Sequence, residues 1–278
     1  MRKVLSVLLV IALLAVGISS ALWLTKEPIV NPPNVIDRFE NGFENWPLRL
    51  VDGLGVAKTP PYHGGDIRIE SGELKLEISP DPNFDSESPD QKPGQPAAEQ
   101  YNNAFAIGMK GFSPNRGEVI AVEFRMKVDE GYQGTTGLWL EAQDTFDEVG
   151  LMVEGGFPGA FGVSYVSPDS WAPVAGFKFE YAKGFTPLCI GSIDADPFEK
   201  NLFRIEWAKG PFWDIFTLDV NGKRQGGCFI PFIGFEKSEV QVWADNYKIG
   251  EWATFLYLNP EGVQGTNFDF VSVVRIRK

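Results

Sequence analysis

The chain has 278 residues, of which 25 are basic and 37 acidic, so its formal net charge is −12 at pH 7. This charge argues against nucleic acid and anionic lipid as partners, because both are polyanions that repel an acidic protein. The only histidine, His63, lies in a Pro- and Gly-rich segment typical of a loop, which gives little support to Ser-His-Asp or Cys-His catalysis.

The N-terminus has the pattern of an export signal. Arg2 and Lys3 precede an almost purely apolar run, residues 4–24, which predicts a hydrophobic helix. Because the run is close to the roughly 20 residues that span a bilayer, residues 1–24 are either a signal peptide or an uncleaved signal-anchor. Residues 25–34, TKEPIVNPPN, form a Pro-rich spacer. Both alternatives predict an extracellular or cell-surface protein, with the membrane a partner only through an uncleaved N-terminal segment.

Residues 35–278 are predicted to form one all-β domain. Short alternations of apolar and polar residues recur between turns rich in Gly and Pro, and no helical period follows residue 24. A hairpin is predicted at 66–78, and strands at 104–109, 118–128, 137–143, 149–154, 161–165, 177–181, 203–207, 212–220, 240–244, 252–256 and 268–276. This pattern predicts a β-sandwich of a dozen or more strands.

The clearest strand signal lies in residues 203–223. Phe203, Ile205 and Trp207 alternate with charged residues, as in a half-buried strand. A second run ends at Asn221-Gly222, a dipeptide that strongly favours a tight hairpin turn. The stretch therefore predicts two strands and two turns, the first turn at Lys209-Gly210-Pro211.

The sequence contains two cysteines, Cys189 and Cys228, both downstream of the export signal. In an oxidising compartment a lone pair most often forms a disulfide. They are too few and too far apart for a zinc site of the Cys-x-x-Cys kind. We therefore predict a Cys189–Cys228 disulfide.

Three segments carry a family resemblance: residues 203–223 (FRIEWAKGPFWDIFTLDVNGK), 240–244 (VQVWA) and 267–273 (NFDFVSV). In this order they resemble concanavalin A-like lectin/glucanase domains, particularly the laminarinase-like glycoside hydrolases of family 16 and their non-catalytic relatives. The resemblance implies a jelly-roll β-sandwich of two antiparallel sheets over most of residues 35–278.

The resemblance does not extend to the catalytic motif. The family places its two carboxylates on one strand as Glu-x-Asp-x-x-Glu, and Glu148 and Glu154 occupy the matching segment. Gly150 replaces the middle aspartate, however, and six strand steps separate the glutamates by about 20 Å, against the 5–5.5 Å of a retaining pair. Glu141, Glu148 and Glu154 are therefore weak catalytic candidates, and the domain is predicted to be non-catalytic.

A ligand-binding face is predicted instead. Period 2 places Trp139, Glu141, Gln241 and Trp243 on one face of two strands that the resemblance assigns to the concave sheet. Tryptophans can stack on the apolar faces of sugar rings while carboxylates and amides bind hydroxyls, and Arg125 is predicted to extend the same surface. The sequence is compatible with an open groove and with a groove covered by loops 79–102 and 166–176.

The resemblance also implies a structural calcium ion, held by a backbone oxygen near Glu40, the Gly72 carbonyl and the Asp269 carboxylate.

Three functions follow from the whole pattern. The leading prediction is a non-catalytic domain that binds a polysaccharide or glycoconjugate. The alternatives are a glycoside hydrolase or lyase with a rearranged carboxylate site that includes Asp144, and a structural or adhesive cell-surface module.

Overall fold

We describe a computed structural model of the chain over residues 34–51, 64–82, 84, 102–142, 159–170, 175–183, 186–231, 237–249 and 255–277. The predicted signal or anchor (1–24), nearly all of the spacer, His63 and the predicted strand 149–154 lie outside these ranges. No helix found within them could cross a membrane.

Seventeen strands make up the described part of the chain. In order they are β1 (Val35–Asp37), β2 (Leu48–Val51), β3 (Gly65–Glu70), β4 (Glu73–Ile78), β5 (Asn103–Phe112), β6 (Glu118–Val128), β7 (Thr135–Ala142), β8 (Ala160–Val166), β9 (Gly176–Lys183), β10 (Thr186–Ser192), β11 (Asn201–Lys209), β12 (Trp213–Val220), β13 (Lys223–Pro231), β14 (Ser238–Asp245), β15 (Tyr247–Ile249), β16 (Phe255–Tyr257) and β17 (Gln264–Arg277).

The strands pair antiparallel in two large sheets. The eight-stranded sheet has the order β13-β12-β11-β6-β17-β4-β3, with β1 also paired to β17, and the seven-stranded sheet has the order β10-β9-β8-β7-β14-β5-β2. A separate hairpin joins β15 and β16. The prediction of a jelly-roll sandwich of two antiparallel sheets is confirmed.

Alternation decides which side chains fill the space between the sheets. On β11 the residues Phe203, Ile205 and Trp207 are fully buried, and their neighbours point away from the core. On β12 the same alternation buries Phe216, which stacks on Phe161 from the opposite sheet at 4.5 Å between ring centroids. The core is therefore a layer of aromatic and branched side chains contributed by both sheets.

The tight turns predicted from sequence adopt the backbone they require. Asn221 and Gly222, between β12 and β13, have φ angles of 51° and 77°. Ser71 and Gly72, between β3 and β4, have φ angles of 55° and 77°. Two successive positive φ values characterise the type I′ turn that suits the twist of a two-residue hairpin.

The predicted disulfide is confirmed. Cys189 on β10 and Cys228 on β13 are bonded, with their Cα atoms 6.0 Å apart. β10 is the last strand of the seven-stranded sheet and β13 the last strand of the eight-stranded sheet. The bond therefore ties the two sheets together along one side of the sandwich.

Candidate functional site

The candidate site lies on the outward face of the seven-stranded sheet, where β7 and β14 pair at its centre. Leu138, Leu140, Val240 and Val242 point into the core. The intervening residues share the opposite face, where Trp139 is the register partner of Gln241 and Glu141 that of Glu239. Trp243 lies two residues beyond Gln241 on the same strand. The structure thus brings Trp139, Glu141, Gln241 and Trp243 together.

Two glycines provide the space for the tryptophans. A Cβ on Gly137, the cross-strand partner of Trp243, would lie 2.9 Å from the Trp243 indole. A Cβ on Gly162, the partner of Trp139 on β8, would lie 2.3 Å from Cδ1 of Trp139. At both positions a side chain would also meet a backbone carbonyl oxygen, that of Val163 at 2.0 Å and that of Leu138 at 2.2 Å, so glycine leaves the room that each indole occupies. The two rings are 4.7 Å apart, inclined at 60°.

Glu141 is fully buried beside these rings. With the Gln241 amide nitrogen turned toward it, that nitrogen lies 2.7 Å and 2.6 Å from the two carboxyl oxygens of Glu141. In the opposite orientation the Gln241 carbonyl oxygen can accept a hydrogen bond from a protonated Glu141. By turning its side-chain amide, Gln241 can therefore form a hydrogen bond with the Glu141 carboxyl group in either protonation state.

Glu239 is the second carboxylate of the site. It is 1 % exposed, and its Oε2 lies 3.3 Å from Nζ of Lys110 on β5. Burial, and secondarily the charge of Glu239, raise the pKa of Glu141 well above its ordinary value. The physical reason is that a carboxylate loses its hydration on burial, and a second carboxylate nearby disfavours its ionisation further.

This raised pKa predicts a pH-dependent effect of Glu141→Gln. A group whose folded-state pKa is raised contributes stability that is fully present below its unfolded pKa and is lost as pH rises through the folded value. The variant does not titrate at this position. The difference in free energy of unfolding, variant minus wild type, should therefore become more positive as pH rises from 4 to 8. Urea unfolding across this range measures the difference. Glu44→Gln, at an exposed position, is the matched control, and parallel curves for Glu141→Gln and wild type would contradict the assignment.

The face is largely closed to solvent at these residues. Glu141, Gln241 and Trp243 are buried, at 0, 2 and 4 % exposure, and Trp139 is half-buried. Trp243 is also anchored through its indole Nε1, which donates to Oγ1 of Thr135 at 3.2 Å. Of the predicted stacking residues, Trp139 is therefore the one placed to meet a ligand.

Of the catalytic candidates, Glu141 alone lies in the part of the chain that the structure describes. Glu148 and Glu154, together with Asp144, lie outside the described residues. Glu141 lies in the site. The neighbouring carboxylate there is Glu239, which was not predicted because the strand was predicted to start at residue 240. Extending the same alternation two residues back from Gln241 would have placed Glu239 on this face.

The prediction that Arg125 extends this surface is wrong. Arg125 lies on β6, in the eight-stranded sheet, and its Nη1 is 3.5 Å from Oδ2 of Asp269. Its guanidinium also lies 5.7 Å from the ring centroid of Phe270. The alternation within β6 was predicted correctly, but alternation does not reveal which sheet a strand joins.

The predicted calcium ligands have different surroundings. Glu40 is exposed, Gly72 lies in the β3–β4 turn, and Oδ1 of Asp269 accepts from Lys200 Nζ at 2.8 Å. The same ammonium contacts Oε1 of Glu73 at 2.6 Å. Calcium takes six to eight oxygen ligands, and the described ranges hold no cluster of three or more Asp, Glu, His or Cys side chains suited to a metal. These residues fit calcium poorly, because a lysine already pairs with the single predicted carboxylate.

No model of a known protein family matches the sequence, and no curated protein matches it. Solved structures do match in fold. The laminarinase (endo-1,3-β-glucanase) catalytic domain from Thermotoga petrophila has a TM-score of 0.54 at 14 % identity, over 88 % of this chain and 97 % of that one. A β-1,3-1,4-glucanase (lichenase) from a mouse hindgut metagenome has 0.53 at 15 %, over 87 % and 99 %. An endo-1,3-β-glucanase from Streptomyces sioyaensis has 0.53 at 11 %, over 91 % and 100 %. The chain therefore shares the jelly-roll sandwich fold of these glucanases.

Proposed function

We propose that this chain is an exported carbohydrate-binding domain whose ligand is a β-linked polysaccharide. The observation that supports this most directly is the half-buried Trp139, packed against Trp243 with Glu141 and Gln241 beside it, on the outward face of a glucanase-type sandwich. An indole stacks on the apolar face of a sugar ring, and the neighbouring polar groups orient its hydroxyls. The glucanases of similar fold act on β-1,3- and β-1,3-1,4-glucans, which makes these polymers the first ligands to test.

Replacing Trp139 by alanine should weaken polysaccharide binding by about 5- to 150-fold, because a buried aromatic contact is worth on the order of 1–3 kcal/mol. Affinity electrophoresis in gels containing laminarin or lichenan measures the change. Trp213→Ala, on the eight-stranded sheet, is the matched control and should bind as the wild type does. Equal retardation of Trp139→Ala and wild type would refute the site.

Glycoside hydrolysis is the second candidate, supported by Glu141 and Glu239. As direct cross-strand partners their Cβ atoms are about 4.5–5.5 Å apart, which is compatible with the carboxyl separation of a retaining pair. A raised pKa suits Glu141 to the role of general acid. Release of reducing sugar from laminarin that Glu141→Gln abolishes, while polymer binding persists, would favour hydrolysis over binding alone.

The closure of the face at Gln241 and Trp243 favours the third function, a structural or adhesive cell-surface module. Absence of binding to every glucan tested would support that function.

A structural calcium ion stays a prediction of the resemblance. Bound calcium would stabilise the folded state by mass action, so a chelator would lower the melting temperature, and an unchanged value would contradict the prediction.

A further inference from the structure

The outward face of the eight-stranded sheet carries an apolar row that the glycan site does not explain. Ile276, Val119, Ala208, Ile215 and Phe229 are successive cross-strand partners on β17, β6, β11, β12 and β13. Their chain neighbours, such as Ile120, Trp207 and Cys228, point into the core. Because partners directly opposite lie about 4.5–5.5 Å apart, these five side chains form one strip, here called the apolar row. Phe229 is exposed, Ile276, Ala208 and Ile215 are partly exposed, and Val119 is buried at 4 % exposure.

The rest of this face has a different character. A second row lies four residues along β17, β6, β11 and β12, and five along β13 because of a register shift. It is polar or charged throughout and consists of Ser272, Glu123, Arg204, Asp219 and Arg224. Arg204 pairs with Glu123, and Arg224 Nε lies 2.6 Å from Asp219 Oδ1. The outward face is thus charged at its middle and apolar at the end where β17 terminates.

Large apolar side chains are exposed at this end. Phe229 is 59 % exposed, and Phe212, in the turn between β11 and β12, is 54 % exposed. The Trp213 ring lies 6.0 Å from that of Phe229 and widens the apolar surface. A solvated sheet face normally carries polar residues at its outward positions, so an apolar strip with aromatic side chains at its edge indicates a contact surface.

The polypeptide enters the sandwich at the same end. β1 runs antiparallel to β17, with Val35 opposite Val273, and Oδ1 of Asn34 accepts from the Arg275 backbone nitrogen at 3.0 Å. Asn34, the first described residue, therefore lies at the end of the sheet that carries Ile276 and Phe212. Residues 25–33 span at most about 30 Å when extended, and the width from β1 to β13 is about 24 Å at 4.8 Å per strand. Residues 25–33 are therefore long enough to cover the distance from Asn34 to Phe229.

We propose that, in the chain anchored by its N-terminal segment, the exposed end of the apolar row at Phe229, together with Phe212 and Trp213, lies against the lipid surface. Aromatic side chains suit this position because they are favoured at the boundary between headgroups and acyl chains. The contact is apolar, so it fits zwitterionic lipid and is compatible with the acidity of the protein. A strip one residue high is too narrow for the roughly 800 Å² per partner of a stable protein interface, which favours lipid over a second copy.

The test uses the full chain reconstituted in phosphatidylcholine liposomes and hydroxyl-radical footprinting read by mass spectrometry. A site-specific protease sequence introduced into residues 25–33 allows the same sandwich to be released and measured free. Oxidation of Phe212 and Phe229 should be at least about threefold lower in the tethered form than in the released form, because partial insertion excludes water. Leu188 and Ile190, exposed on β10 of the other sheet, are the internal controls and should be oxidised equally in both forms.

Three results would overturn the proposal: equal oxidation of Phe212 and Phe229 in the two forms, protection that persists after release and grows with protein concentration, or a full chain that liposomes do not retain. A Phe212→Ser/Phe229→Ser variant supplies a second measurement. Both side chains are exposed, so the fold should survive, and the Trp213 ring should become more oxidised in the tethered form. Leu188→Ser/Ile190→Ser is the matched control and should leave the protection of Phe212 and Phe229 intact.

Discussion

Replacing Phe216 by alanine is expected to lower the free energy of unfolding by about 3–5 kcal/mol, the usual cost of removing a large buried aromatic side chain. Phe216 is fully buried and stacks on three rings: Phe161 at 4.5 Å, Trp207 at 5.7 Å and Tyr181 at 6.2 Å. Phe161 and Tyr181 belong to the opposite sheet. The substitution therefore opens a cavity at the point where aromatic packing joins the two layers.

Urea unfolding monitored by tryptophan fluorescence and by far-UV circular dichroism measures this loss. Phe212→Ala removes an aromatic side chain of the same size from an exposed turn, and should change the free energy of unfolding by less than about 0.5 kcal/mol. Phe216→Leu, which retains most of the volume, should fall between the two. A Phe216→Ala protein as stable as Phe212→Ala would show that the stack does not hold the sheets together.

Removing the disulfide should have a comparable effect. The bond joins cysteines separated by 39 residues, and a closed loop of that length restricts the unfolded chain by about 4 kcal/mol in the chain-entropy model. A Cys189→Ala/Cys228→Ala double variant should therefore melt roughly 8–16 °C below the oxidised wild type, given the usual 2–4 °C per kcal/mol for a domain of this size.

Reduction of the wild type provides the control for cavity effects, because it breaks the bond without removing sulfur atoms from the buried Cys228 site. The reduced wild type and the double variant should melt at similar temperatures. If reduction left the melting temperature unchanged, the bond would be shown to add nothing to stability.

Strands at the centre of each sheet were predicted well from sequence. β6 has the predicted bounds, 118–128, and the predicted strand 161–165 differs from β8 by one residue at each end. On β6 one face packs in the core and the other is more polar, so side chains alternate and the period of 2 is visible. The hairpin turns at Ser71-Gly72 and Asn221-Gly222 were identified because their backbone requires residues that tolerate positive φ.

Two edge strands, β10 and β13, were missed for a physical reason. β13 reads KRQGGCFIP, and its Gly226 has no side chain to alternate, because a Cβ there would lie 2.4 Å from the Phe179 ring. β10 contains Pro187, which has no backbone N–H, and its register shifts between Pro187 and Cys189. These two strands are positioned by pairing with a neighbouring strand and by the disulfide. Their own sequences lack the apolar–polar alternation that identifies a strand.

The candidate site was predicted in part. Alternation placed Trp139, Glu141, Gln241 and Trp243 on one face, and register brings them into contact. Burial of the face, the Glu141–Glu239 pair and the contact of Lys110 with Glu239 depend on which strands are neighbours. Alternation within a single strand contains no such information, which is also why Arg125 was assigned to the wrong sheet.

The placement of the disulfide constrains how the two sheets can separate. On the side opposite β10 and β13, the edge strands are β2 and β3, and these are consecutive in the chain, so the backbone itself crosses from one sheet to the other there. The Cys189–Cys228 bond therefore limits separation of the sheets at their β10 and β13 edges, where the two Cα atoms are 6.0 Å apart. The link between the β2 and β3 edges is residues 52–64, a much longer tether. Partial opening of the oxidised sandwich should therefore begin at the β2 and β3 edges.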